Sequence, residues 1–99
     1  MAVVMSMRWA GVTPDQYESA RAVVHWEDRA PDGGIMHASW FEADGLHVVD
    51  IWDTEAAFQQ FSLKRLMPVV RRLGVTEEPQ VSFSPLHRRF VGPGVSGAA

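Results

Sequence analysis

Ninety-nine residues, 46% of them apolar and 21% charged, make one small globular domain and exclude disorder over most of the length. A formal net charge of −3 with no Lys/Arg stripe excludes nucleic acid as a partner, and the lack of cysteine excludes disulfides, thiolate zinc sites and a cysteine nucleophile. No run approaches the ~20 apolar residues of a membrane span, and the opening MAVVMSMRW lacks the basic start of a signal peptide, so no membrane partner and a cytoplasmic location are expected.

The chain opens with Val3, Met5, Met7 and Trp9 alternating with a mixed set, which predicts a strand buried on one face, ended by Gly11. Thr13, Pro14 and Gln16 form a helix start with a capping box. Tyr17, Ala20, Val23 and Val24 follow at helical spacing, and the helix is expected to fade by Glu27 or Asp28, with His25 capping its end. Tyr17 is expected to be a core residue with its hydroxyl at the rim. Residues 35–41 and 46–52 read as two strands joined across Asp44-Gly45. Asp53 or Thr54 caps a second helix over residues 55–73, which Pro68 should kink. Residues 80–90 form a fourth strand, interrupted at Pro85. The domain therefore spans residues 1–91, and residues 92–99 form a loose tail.

This order, β-α-β-β-α-β, predicts an α+β, ferredoxin-like fold: a four-stranded antiparallel sheet with two helices on one face. The other face would be bare and apolar, so a homodimer packed sheet to sheet is the expected partner.

The run LHVVDIWDTEAAFQQF at 46–61, with Leu66-Met67-Pro68 and the closing Pro85-Leu86-His87, resembles the dimeric α+β barrel superfamily over residues 3–90. There a strand ends in Trp-acid-Ser/Thr and the next helix opens with an acid, small residues and Phe. The resemblance implies that two protomers form the barrel. It further implies a relation to antibiotic biosynthesis monooxygenases that need no cofactor, to polyketide cyclases, to haem-degrading enzymes or to stress-associated barrels. The haem-degrading members carry a His on the second helix; residues 55–73 contain none, so no haem is expected. The Asn/Trp/Tyr set of the monooxygenases does not map onto this chain. The four histidines fall at no metal-binding spacing and no phosphate or dinucleotide loop is present, so no cofactor is expected.

Strand parity locates the candidate site. Pairing Ala43 with Leu46 sets Ser39 opposite Asp50; shifting the hairpin by one residue sets His37 opposite Asp50. In both registers Ile35, His37, Ser39 and Phe41 share a face with Leu46, Val48, Asp50 and Trp52. Met36, Ala38, Trp40, His47, Val49 and Ile51 lie on the other face. This second, more aliphatic set is expected beneath the helices, and the His37 face is expected to line the barrel interior away from them. His37 and Asp50 are the candidate catalytic pair: the carboxylate orients the imidazole, which takes a proton from a phenol or an acidic C–H. Trp52, Ser39, Phe41 and His87 are the candidate substrate-binding residues, for a small apolar or aromatic ligand. The expected function is a cofactor-independent monooxygenase-like or cyclase-like enzyme acting on an aromatic or polyketide-type compound. The alternatives are a ligand-binding or stress-associated barrel without catalysis, and a structural dimer in which His37 and Asp50 satisfy each other.

Overall fold

A computed structural model describes residues 1–99. The elements are β1 (Val3–Ala10), α1 (Pro14–Val24), β2 (Gly34–Glu42), β3 (Gly45–Trp52), α2 (Glu55–Phe61), α3 (Met67–Arg72) and β4 (Gln80–Pro85). The four strands form one antiparallel sheet in the order β2-β3-β1-β4, as the ferredoxin-like pattern requires. No helix is long and apolar enough to cross a membrane.

Local chemistry sets most boundaries. Thr13 and Gln16 exchange the two capping-box bonds at 3.2 and 3.0 Å, and Thr54, rather than Asp53, caps α2 through the Ala57 N–H at 3.0 Å. The first helix stops earlier than expected. His25 adopts the left-handed conformation at φ 61°, the one non-glycine residue to do so, and closes the helix by donating its N–H to the Arg21 carbonyl. That reversal folds Trp26 back against Tyr17.

The second helix is split. Residues 62–66 form a π-helical turn, in which the Met67 N–H reaches back to the Ser62 carbonyl. Pro68 has no N–H for the Lys64 carbonyl and its ring would clash with it in a regular helix, so the wider turn lies where the α pattern cannot hold.

The hairpin turn is Ala43-Asp44, with Glu42 paired to Gly45, one position earlier than the Asp-Gly signal indicated. Neither turn residue has a positive φ, so the positive φ falls on Gly45 at 132° instead. A Cβ there would lie 2.5 Å from the Trp9 carbonyl oxygen, which makes glycine obligatory. The register sets His37 opposite Asp50. A bulge at Ile35 shifts the register at the start of β2 by one residue, so that Gly34 pairs with Trp52 and Met36 with Ile51. The fourth strand ends at Pro85 and does not continue to Phe90.

The two sheet faces are the reverse of the expected assignment. Met5, Met7 and Trp9 of β1 and Leu46, Val48 and Trp52 of β3 are buried in one cluster with Val24, Phe58 and Val70 of the helices. His37, Ser39, Phe41 and Asp50 share that parity, so the His37 face lies beneath the helices. The reason is composition summed across neighbouring strands. The apolar side of β1 pairs in register with the Asp50 side of β3, and this combined surface outweighs Ala38, Val49 and Ile51. Trp40 and Met36 therefore lie on the bare face, 43% and 37% exposed.

Candidate functional site

Three elements, β3, β2 and α1, build the network around Asp50. It stands in the middle of β3 and is the one charged side chain buried in the protein, 6% exposed. A carboxylate so placed must be hydrogen-bonded on both oxygens. Oδ1 lies 2.7 Å from Nδ1 of His37, its cross-strand partner. Oδ2 accepts the indole N–H of Trp52, two residues along the same strand face, at 3.0 Å. The other nitrogen of His37, Nε2, lies 2.8 Å from the hydroxyl of Tyr17 on α1. Ser39 donates its own hydroxyl to Tyr17 at 2.9 Å.

These contacts have one consistent direction. An indole N–H only donates, so Asp50 accepts from Trp52, and an ionised Asp50 also accepts from His37 Nδ1–H. In the neutral imidazole Nε2 then carries the lone pair, and Tyr17 donates to it. The chain runs Ser39 to Tyr17 to His37 to Asp50, and it places the basic lone pair of His37 against a hydroxyl. Burial pushes the Tyr17 hydroxyl above its ordinary value of 10.0; nearby Glu18, Glu27 and Asp50 add to the effect, while the Ser39 bond partly opposes it. Tyr17 is thus held as a neutral donor.

Aromatic rings frame the chain. Trp26 stands 5.3 Å from Tyr17 and 5.8 Å from His37, centre to centre, and Phe41 meets Tyr17 edge-on at 6.0 Å. Trp52 packs against Phe58 and Phe61. The Trp26 indole N–H is buried without a hydrogen-bond partner.

Two hollows meet at His37 and Asp50. The inner one, of about 60 Å³, lies between sheet and helices. Among its lining residues are Tyr17, Ala20, Leu46, Val48 and Val70. The outer one, of about 140 Å³, is bounded by Trp26, Pro31, Ile35, Met36 and Trp52, beside the bulge at Ile35.

The candidate residues divide accordingly. His37, Asp50, Trp52 and Ser39 fall in one hydrogen-bonded set. Phe41 supports Tyr17 and lines neither hollow. His87 does not join them: it lies exposed beyond the end of β4, because the strand stops at Pro85. Tyr17 and Trp26 were missed as site residues. For Tyr17 the signal was its place on the buried stripe of α1; for Trp26 nothing local indicated the left-handed turn at His25. His47 bonds Asp44 at the hairpin turn at 2.7 Å and holds the Asp44 carboxyl below the usual carboxylate range. No group of three or more His, Asp or Glu side chains is placed to hold a metal ion.

No family model matches the sequence, and no curated protein does. Solved structures share its fold. SnoaB, a cofactor-independent oxygenase from Streptomyces nogalater, is 16% identical, with 89% of this chain covering 94% of that one at a TM-score of 0.58. Rv0793 from Mycobacterium tuberculosis is 21% identical, with coverages of 89% and 98% and a TM-score of 0.58. A dimeric ferredoxin-like protein of unknown function from Thermobifida fusca is 19% identical, with coverages of 87% and 92% and a TM-score of 0.54.

Proposed function

We propose, from the premise that this chain has the fold of the antibiotic biosynthesis monooxygenase-like dimeric α+β barrels, that it is a small-molecule enzyme whose reaction begins with proton abstraction by His37. The observation that carries this reading is the directed chain Tyr17–His37–Asp50 at the junction of two hollows. Asp50 fixes the ring and stabilises the imidazolium, as the third member of a nucleophile–base–carboxylate set does. A phenolic O–H or an acidic C–H of an aromatic compound replaces the Tyr17 hydroxyl at Nε2 and gives up its proton there. The resulting anion then reacts with dioxygen, as in a cofactor-independent monooxygenase, or with a carbonyl of the same molecule, as in a cyclase. Trp26 and Trp52 supply ring surfaces for the substrate, and no step needs a metal or a prosthetic group.

Oxygen uptake and product formation with a panel of phenols and polyketide-type aromatic compounds, without added metal or flavin, test this. Turnover should fall about 10²–10⁴-fold in His37→Ala, the range expected for loss of a general base. Unchanged turnover in that variant rejects the assignment.

A ligand-binding barrel without catalysis is favoured by a different observation: both ring nitrogens of His37 already have partners within the protein. In that case the panel yields binding and no turnover.

The unit is proposed to be a homodimer, formed through the bare sheet face with Trp40, Met36 and Val49. The dimeric state of the Thermobifida fusca protein supports this.

A further inference from the structure

The outer cleft has two indole walls from separate parts of the chain. Trp26 stands on the turn after α1, and Trp52 ends β3. The cleft measures about 140 Å³. That is near the ~150 Å³ void that takes up one benzene, so the placing of the walls decides whether a flat ring fits. Trp52 is fixed by its strand and by Asp50. Trp26 has neither support: residues 25–29 belong to no helix or strand, and its indole N–H has no partner. One side chain outside the cleft meets the supports of both walls. Arg65, in the π-helical turn, donates from one guanidinium nitrogen to the Val24 carbonyl at 2.8 Å and to the Arg29 carbonyl at 2.7 Å. These carbonyls bracket the turn that carries Trp26. The Val24 carbonyl ends α1 and has no partner within the helix, and a cation suits that end of the helix dipole. The guanidinium carbon also lies 5.4 Å from the centre of the Phe61 ring, within reach of a cation–π contact. Phe61 in turn packs on Trp52 at 5.6 Å. The turn has one other side-chain tie across to α1, the pair of Glu27 with Arg21 at 2.8 Å; it is solvent-exposed, and such pairs contribute little.

We propose that Arg65 is a positioning residue for the outer cleft: it pins the Trp26 turn, braces the Phe61–Trp52 stack, and so fixes the two indole walls relative to each other. Arg65 lines neither hollow and acts only through these neighbours. That the cleft so held takes an aromatic ring rests on the reading above. Trp26 also packs on Tyr17 and His37, so the same clamp keeps water from the Tyr17 hydroxyl at Nε2.

The indole N–H resonances of the four tryptophans read the walls by NMR on the substrate-free protein. Arg65→Met should displace those of Trp26 and Trp52 and leave those of Trp9 and Trp40, which bond Glu77 and Glu42, in place. Arg65→Lys keeps the charge and the donors and should restore most of the pattern; Arg65→Gln serves if Arg65→Met does not fold. Tyr17 gives a second reading with a diagnostic sign. Loss of a positive charge by itself raises the midpoint of a phenol, whereas loosening Trp26 hydrates Tyr17 and lowers it. Arg65→Met should therefore lower the Tyr17 midpoint. Arg72→Met should not, because Arg72 bonds a carbonyl of α3 and does not touch the turn. Phenol, the one-ring probe, should bind Arg65→Met several-fold more weakly than wild type. A Trp26 or Trp52 resonance that stays in place, a displacement shared equally by all four indoles, a Tyr17 midpoint unchanged or raised, or an unchanged phenol affinity overturns the role of Arg65. Wild-type protein that binds no phenol while the indole and Tyr17 effects are present upholds Arg65 as the clamp and rejects the aromatic ligand of the reading above instead.

Discussion

Tyr17 is the one tyrosine in the chain, so its ionisation can be followed without interference from a second phenol. Burial raises its titration above 10.0. Absorbance near 295 nm should therefore give a midpoint above that of a free tyrosine, and Ser39→Ala should move it higher, since the Ser39 bond acts in the lowering direction. The sign for stability follows. Between the ordinary and the raised value the native state keeps a proton that the unfolded state has lost. The contribution is therefore complete below pH 10 and declines as pH rises through the raised value. A melting temperature independent of pH across that window would contradict it. Asp50 makes a second prediction at this scale. Asp50→Asn turns one acceptor oxygen into a donor facing either Trp52 N–H or His37 Nδ1, leaving a buried polar group unsatisfied. The expected cost is about 2 kcal/mol, or roughly 8–16 °C for a domain of this size. A change within 2 °C, read by calorimetry, would show that the network contributes little to the fold.

The element that most depends on a local irregularity is the split second helix. At about 100° per residue, Phe58 and Val70 would stand roughly 120° apart on an unbroken α-helix. The π turn absorbs one residue and brings them to within about 20°, so both reach the core. Removing a residue from the turn should thus preserve the core if the proline is removed with it. Deletion of Lys64, which is exposed, combined with Pro68→Ala should give a continuous helix with nearly unchanged stability. The deletion alone should cost about 3 kcal/mol, because Pro68 then sits inside a regular helix. Urea unfolding distinguishes the two; equal stability of both variants would refute the account. The same dependence on one irregular residue appears at His25, whose left-handed conformation places Trp26 beside Tyr17 and His37.

For the whole molecule, the bare sheet face is the main open surface. Trp40 stacks on His47 there, with Met36, Ala38 and Val49 beside it and Arg8 and Asp44 at the edge. A mass near twice 11.0 kDa by light scattering is expected. Trp40→Lys should shift the mass toward the monomer, because a charge would be buried without a partner. Wild-type protein that stays monomeric at high micromolar concentration would exclude this interface.

The sequence by itself determined the element order, the cap of the first helix and the hairpin parity that puts His37 and Asp50 on one face; it left open the register that sets them opposite each other. Each depends on residues close in the chain or on strict alternation along a strand. It did not determine which sheet face meets the helices. A mid-strand Asp looks unsuited to a packed face until its partners are known: Trp52 lies two residues along the same strand, but Tyr17 reaches His37 only when α1 crosses the sheet. It also did not place Trp26, which depends on one backbone torsion at His25, or remove His87, which depends on where β4 ends. Alternation records that two residues share a side. Only the tertiary structure, by summing apolar area over all four strands and both helical segments, decided which side is inside.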